Sequence, residues 1–184
     1  MEALRQAEPG RAVELWAQDE ARRGLKPIAR RVWALKGNRP RSDSRSRYEW
    51  LYVYGFAQPA TARSFSVLLP RVNAELRGQA LGEFSAWADP QGEKLLVVLV
   101  DNAGPHVAKG LQVPANVRLD RLPPCTPELQ PVEPLWPLLR EVVANRPLAD
   151  LADLERRVKA RCRWLQEHPE VVKGAVGFHG ALSL

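Results

Sequence analysis

The 184-residue sequence predicts an α/β protein built on a mixed five-stranded sheet flanked by helices. Three observations predict it. Leu95-Leu96-Val97-Val98-Leu99-Val100 is an unbroken apolar run closed by Asp101-Asn102-Ala103-Gly104-Pro105-His106, the pattern of a strand buried on both faces. Tyr48 to Phe56 and Thr61 to Leu69 are rich in aromatic and β-branched residues and are separated by Gln58-Pro59-Ala60, as in an antiparallel hairpin. Asn73 to Trp87 and Leu151 to Glu167 instead repeat their apolar residues at helical spacing.

Taken in order, the first strand is expected over Val13 to Asp19. Ala21 to Arg47 is a long connection with one short strand candidate, Val32 to Leu35; connections of that length inside a compact domain are usually functional or disordered. After the hairpin, the helix over Asn73 to Trp87 carries Leu76, Ala80, Leu81, Phe84 and Trp87 on one face and stops at Asp89-Pro90. Lys94 to Asp101 is the buried strand, and Asn116 to Leu122 follows it after a short crossover. Pro131 suits the first turn of a helix reaching Ala144, with Val132, Leu135, Trp136, Leu139 and Val143 as its buried stripe. Pro137 cannot donate to the carbonyl of Glu133, so that helix should kink or start late. Asp150 suits the cap of the last helix, whose Leu151, Leu154, Val158, Cys162 and Leu165 share a face. The stretch after Pro169 has no assignment. Three meandering strands, a helix, then two strands joined through helices is the order of the ribonuclease-H-like fold. The expected organisation is a tail over 1–12, one domain over 13–147 that contains the basic connection 21–47, and a helix and tail over 148–184 packed on it.

No apolar run approaches the length of a membrane span, and the first twelve residues are charged and lack a signal-peptide core, so a soluble, cytoplasmic protein with no membrane partner is expected. Cys125 and Cys162 fit a reducing compartment, and no Cys/His spacing suggests zinc. The formal charge of +6 is concentrated. Arg22, Arg23, Lys26, Arg30, Arg31, Lys36, Arg39, Arg41, Arg45 and Arg47 face the single acid Asp43 in their segment. A solvated loop in an arginine-rich protein is one reading of this run; contact with phosphates is the other, and it gains from the acids nearby.

Those acids are Asp19, Asp101 and Glu133. An acid closing a buried strand, as Asp101 does, sits where open α/β sheets place their ligands. Asp19 is either a turn residue or a second ligand, and Glu20 beside it should point to the other face of the strand. Glu133 is either a solvent-facing residue of a first turn, favoured by the helix dipole, or a third ligand. Carboxylates gathered at one sheet edge can hold a hard divalent cation.

The same residues carry a family likeness. Asp101-Asn102-Ala103-Gly104-Pro105-His106 and Leu122-Pro123-Pro124-Cys125-Thr126-Pro127-Glu128-Leu129-Gln130-Pro131-Val132-Glu133-Pro134-Leu135-Trp136 resemble the second and third signature blocks of bacterial insertion-sequence transposases of the mariner superfamily (the IS-six-thirty branch). Leu15-Trp16-Ala17-Gln18-Asp19-Glu20 is similar to the first. Cys125, Thr126 and Gln130 stand where the family usually has Tyr, Ser and Asn, and 31 residues separate Asp101 from Glu133, somewhat fewer than in most members.

The resemblance implies a catalytic DDE domain in which Asp19, Asp101 and Glu133 hold two Mg²⁺ ions, with Mn²⁺ able to substitute. It implies hydrolysis at the ends of a mobile element, then attack of the freed 3′-hydroxyl on target DNA, typically at TA. Asn102 and His106 become candidate substrate or supporting contacts, His106 having a backbone-holding loop role as its alternative. The basic connection, through Arg22, Arg23, Arg30, Arg31, Lys36, Arg39, Arg41, Arg45 and Arg47, is expected to contact DNA, a second protomer of a homodimer, or both. Only eighteen residues precede Asp19, so end recognition by helix-turn-helix units is expected from another polypeptide, from a frameshifted fusion, or not at all. The place of action would be the bacterial cytoplasm, on nucleoid DNA. Two other readings stay open: an inactive remnant that only binds DNA or dimerises, and another ribonuclease-H-like nuclease.

Overall fold

The computed structural model describes residues 10–26, 28, 30–38, 47–101, 110–123 and 130–176. Five strands, β1 (Ala12–Gly24), β2 (Trp50–Ala57), β3 (Ser64–Leu69), β4 (Lys94–Val100) and β5 (Val117–Arg121), form one sheet in the order β3-β2-β1-β4-β5. β1 pairs antiparallel with β2 and parallel with β4, β2 with β3 is antiparallel, and β4 with β5 is parallel. The mixed five-stranded sheet is the one expected. The helices are α1 (Ala74–Ala88), α2 (Leu135–Arg140), α3 (Leu151–Glu167) and α4 (Pro169–Val176), the last in the stretch left unassigned. None among the described residues is long and apolar enough to cross a membrane.

The central strands are buried from both sides, and side-chain alternation divides the core in two. Trp16, Leu96, Val98 and Val100 face α1, where Phe84 stacks on Phe56 at 4.2 Å and meets Trp16 edge-on at 5.0 Å. Ala17, Ala21, Val53 and Leu99 face the other layer, made by Val132, Leu135, Trp136, Leu139 and α3. Helix α3 keeps its expected bounds, and Asp150 caps it by accepting from the Asp153 N–H at 2.8 Å. Asn73 caps α1 likewise, accepting from the Leu76 N–H.

Three expectations are corrected. β1 does not end at Asp19 but continues to Gly24, because residues through Gly24 find backbone partners on β2 down to Trp50. Val32 to Leu35 form no strand; Val32, Trp33 and Leu35 lie exposed, none pairs with a strand among the described residues, and the Leu35 carbonyl instead accepts from the Asn38 N–H in a turn. The helix expected from Pro131 begins only at Leu135. The amides of Leu135 and Trp136 bond three residues back, to Val132 and Glu133, so a tight turn occupies 131–134 and the carbonyl that Pro137 cannot serve is taken by Trp136. The expected buried stripe from Val132 to Val143 is nevertheless present.

Candidate active site

In the parallel pairing of β1 with β4, Ala17 lies opposite Leu99. Both point to the α2–α3 layer. Asp19 has the parity of Ala17 and lies on that face, and Asp101 directly follows the end of β4 at Val100, at the mouth of the sheet. Glu20, of opposite parity, turns to the α1 side as expected.

The turn that carries Glu133 is attached to β1 at two points. Gln130, buried, donates from Nε2 to the carbonyl of Gln18 at 3.1 Å. Trp136 donates from indole Nε1 to Asp19 Oδ2 at 2.8 Å. A hydrogen bond to a charged carboxylate is worth about 1.5–3 kcal/mol. The indole lies against the sheet because its neighbour there has no side chain. Gly55 stands opposite Asp19 on β2, and a Cβ built on it would meet Trp136 Cη2 at 2.7 Å and Val132 Cγ1 at 3.3 Å. Glu133 itself is exposed, as its place outside the buried stripe requires.

Burial pushes the Asp19 carboxyl from 3.8 up to about 6; the Trp136 and Glu20 hydrogen bonds pull it down, and the charges of Glu20 and Glu133 push it further up. Asp19 and Glu133 thus repel each other across the site. Among the described residues, no three His, Cys, Asp or Glu side chains are arranged to hold one metal ion. The chemistry of the donors nonetheless suits a hard cation: they are carboxylate oxygens, one of them half-buried and carrying more negative charge than its surroundings compensate.

Sequence reasoning missed Arg77. It lies fully buried in α1 beneath this edge, donating to Glu20 Oε1 at 2.8 Å and to Gln18 Oε1. Desolvation lowers its pKa, while Glu20, Tyr54, Asp101 and Asp19 favour its charge. A buried cation therefore faces the acids from the far side of the sheet. Its signal was present in the helix: Arg77 occupies the stripe completed by Ala80, Leu81, Phe84 and Ala88.

Of the expected phosphate-contacting cations, Arg22, Arg30, Arg31, Lys36 and Arg47 are exposed. Arg23 is a correction. On the lengthened β1 it shares Asp19's parity and turns inward, 5.5 Å over the Trp136 ring, with a bond to the Trp136 carbonyl. Burial, then Arg140, draws its pKa down to about 10. Arg39, Arg41, Arg45, Asn102 and His106 lie outside the described residues. The start of the basic connection is fixed beside α2, where Asn145 donates to and accepts from the backbone of Arg30 and its own N–H bonds the Ile28 carbonyl.

The raised Asp19 pKa has a consequence for stability. A group more basic folded than unfolded stabilises the fold fully below its unfolded pKa, and that contribution is lost as pH rises through the folded value. Between about pH 4 and 6, Asp19 should therefore lower the melting temperature as pH rises. Comparing Asp19→Asn with the unsubstituted chain isolates this share: the substituted chain should melt higher at pH 7 and with a flatter slope over the window. Equal slopes would remove the charge imbalance from the site.

A protein family described as DDE superfamily endonuclease matches residues 14–155. An uncharacterised protein of Sinorhizobium fredii, y4pE/y4sA, is 32% identical over 121 residues, which are 65% of this chain and 88% of that one. Two solved structures resemble the fold: the mariner Mos1 paired end complex with Mg (TM-score 0.57) and that with Mn (TM-score 0.56). Each is 16% identical, with 89% of this chain and 56% of the other covered. The chain thus spans little more than half of the Mos1 chains. At that identity the likeness speaks for the fold, a ribonuclease-H-like core.

Proposed function

The chain belongs to the DDE superfamily endonucleases, and on that premise we propose that it is the catalytic domain of a mariner-type DNA transposase. Asp19, Asp101 and Glu133 are the proposed ligands of two Mg²⁺ ions, for which Mn²⁺ can substitute. When bound, such ions supply a lowered pKa for water or a 3′-hydroxyl and charge stabilisation for the departing oxygen. The reading is supported by the mouth of the sheet, where Asp19 lies on β1, Asp101 follows the end of the neighbouring parallel strand β4, and Trp136 and Gln130 tie Glu133's turn to β1. The Mos1 relatives are described as paired end complexes with Mg and with Mn, which agrees with a divalent-ion enzyme acting on element ends.

The chain's own groups have separable tasks. Trp136 holds one oxygen of Asp19 and so limits the rotation of that carboxyl. Arg77 offsets part of the acids' mutual repulsion from behind the sheet. Arg22, Arg30, Arg31, Lys36 and Arg47, with Arg39, Arg41 and Arg45, are the proposed contacts to DNA backbone, and Asn102 and His106 the proposed contacts near the reacting phosphate. Element ends and a TA-containing target are the proposed DNA substrates, engaged by a homodimer in the bacterial cytoplasm. An inactive remnant is the second reading, favoured by the lack of a converged metal-binding group among the described residues.

Nicking of an end-labelled duplex in Mn²⁺ separates the two. The unsubstituted chain should nick, and Asp101→Ala should lose at least about a thousand-fold, the scale expected when an essential ligand of a metal-dependent reaction is removed. A chain that binds duplex and never nicks it would support the remnant.

A further inference from the structure

We propose that the cleft at the far end of β1 is a binding site for unpaired nucleotides of single-stranded DNA, a reading that rests on the chain acting on DNA. The cleft encloses about 380 Å³ between Arg22, Lys26, Arg47, Tyr48 and Trp50. It begins where Gly24 pairs with Trp50, five residues beyond Asp19 on the same strand, or about 16 Å at the rise of a β-strand. One DNA strand can therefore pass from the carboxylates to the cleft.

Its composition distinguishes unpaired from paired DNA. Cations alone suffice for a duplex, which turns its phosphates outward and hides its base faces. Here Arg22, Lys26 and Arg47 against Glu49 supply the cations, but two aromatic rings stand among them, Tyr48 80% and Trp50 41% exposed. Rings left in water beside a cationic track are the elements of a stacking platform, which is available only to bases freed from a partner strand. The guanidinium of Arg22 lies over the Trp50 ring at 5.1 Å, which fixes a cation and a ring in mutual register. Glu49 is exposed, and its backbone carbonyl accepts from the Leu25 N–H at 3.0 Å, which holds the entry to β2 against the exit from β1.

The test uses the full chain without divalent ions, so that binding is read without cleavage. Fluorescein-labelled oligothymidylate and a blunt duplex of equal length are titrated by anisotropy. Tyr48→Ala and Trp50→Ala should each weaken oligothymidylate binding about ten-fold while duplex binding changes less than about two-fold; Trp50→Phe should retain most of the affinity. Tyr48 lies outside β2 and is exposed, so Tyr48→Ala carries the test even where Trp50→Ala fails to fold. Equal losses on both probes, or no loss on oligothymidylate, would overturn the site while leaving DNA binding intact. An unsubstituted chain that binds neither probe would overturn this inference together with the transposase reading.

Discussion

Gly55→Ala is expected to lower metal-dependent nicking about a hundred-fold, the loss that an ångström of misplacement at a reacting centre produces. The same change should destabilise the chain by about 1–3 kcal/mol, as overpacking a filled core does. The added methyl would lie 2.7 Å from Trp136 Cη2, closer than carbon atoms approach, and a tight 3.3 Å from Val132 Cγ1. The indole is buried between the sheet and Arg23, so it must shift as a body rather than bend aside. Moving it breaks the 2.8 Å bond to Asp19 and carries the turn of Glu133 away from β1. Gly82→Ala is the matched control: no atom lies within 4 Å of its would-be Cβ, and alanine suits a helix, so stability should rise by roughly 0.5–1 kcal/mol with nicking unchanged. Full nicking by the Gly55→Ala chain would show that the indole does not position Asp19.

The parts of the fold legible in the sequence are those set by local periodicity. Leu95 to Val100, a short apolar run bounded by turn formers, read as a doubly buried strand, and the spacing of Leu154, Val158, Cys162 and Leu165 after Asp150 marked a helix whose observed limits agree. The stripe from Val132 to Val143 was readable even though the helix begins late, because side-chain spacing in a tight turn and in a helix is similar over so few residues. Pro137 announced that delay.

What the sequence hid depends on partners distant along the chain. β1 extends past Asp19 because β2 supplies hydrogen bonds as far as Trp50, which no local propensity encodes. That extension set the parity that buries Arg23 and exposes Arg22, so one of two adjacent arginines left the surface. Arg77 stands at a buried-stripe position of its helix, but the partner that satisfies its charge there, Glu20, lies 57 residues away and meets it only across the sheet. Trp136 was legible as core, but its bond to Asp19 spans 117 residues and required Gly55 to be recognised as empty space rather than as a break in a strand. The three acids were suggested by residue type and by likeness; the side of the sheet on which Asp19 lies followed only from the pairing of β1 with β2 and β4.

Titration of the full chain with Mn²⁺ in the presence of a bound duplex, read by electron paramagnetic resonance, addresses the three carboxylates most directly. Saturable binding of two ions per chain is predicted, with Asp19→Asn, Asp101→Asn and Glu133→Gln each weakening it at least about ten-fold while the fold is retained. Affinity should also fall as pH drops below about 6, where a proton competes for Asp19. Mn²⁺ binding that is equally strong in all three substituted chains, or no saturable binding in the unsubstituted one, would contradict a shared metal site at the mouth of this sheet.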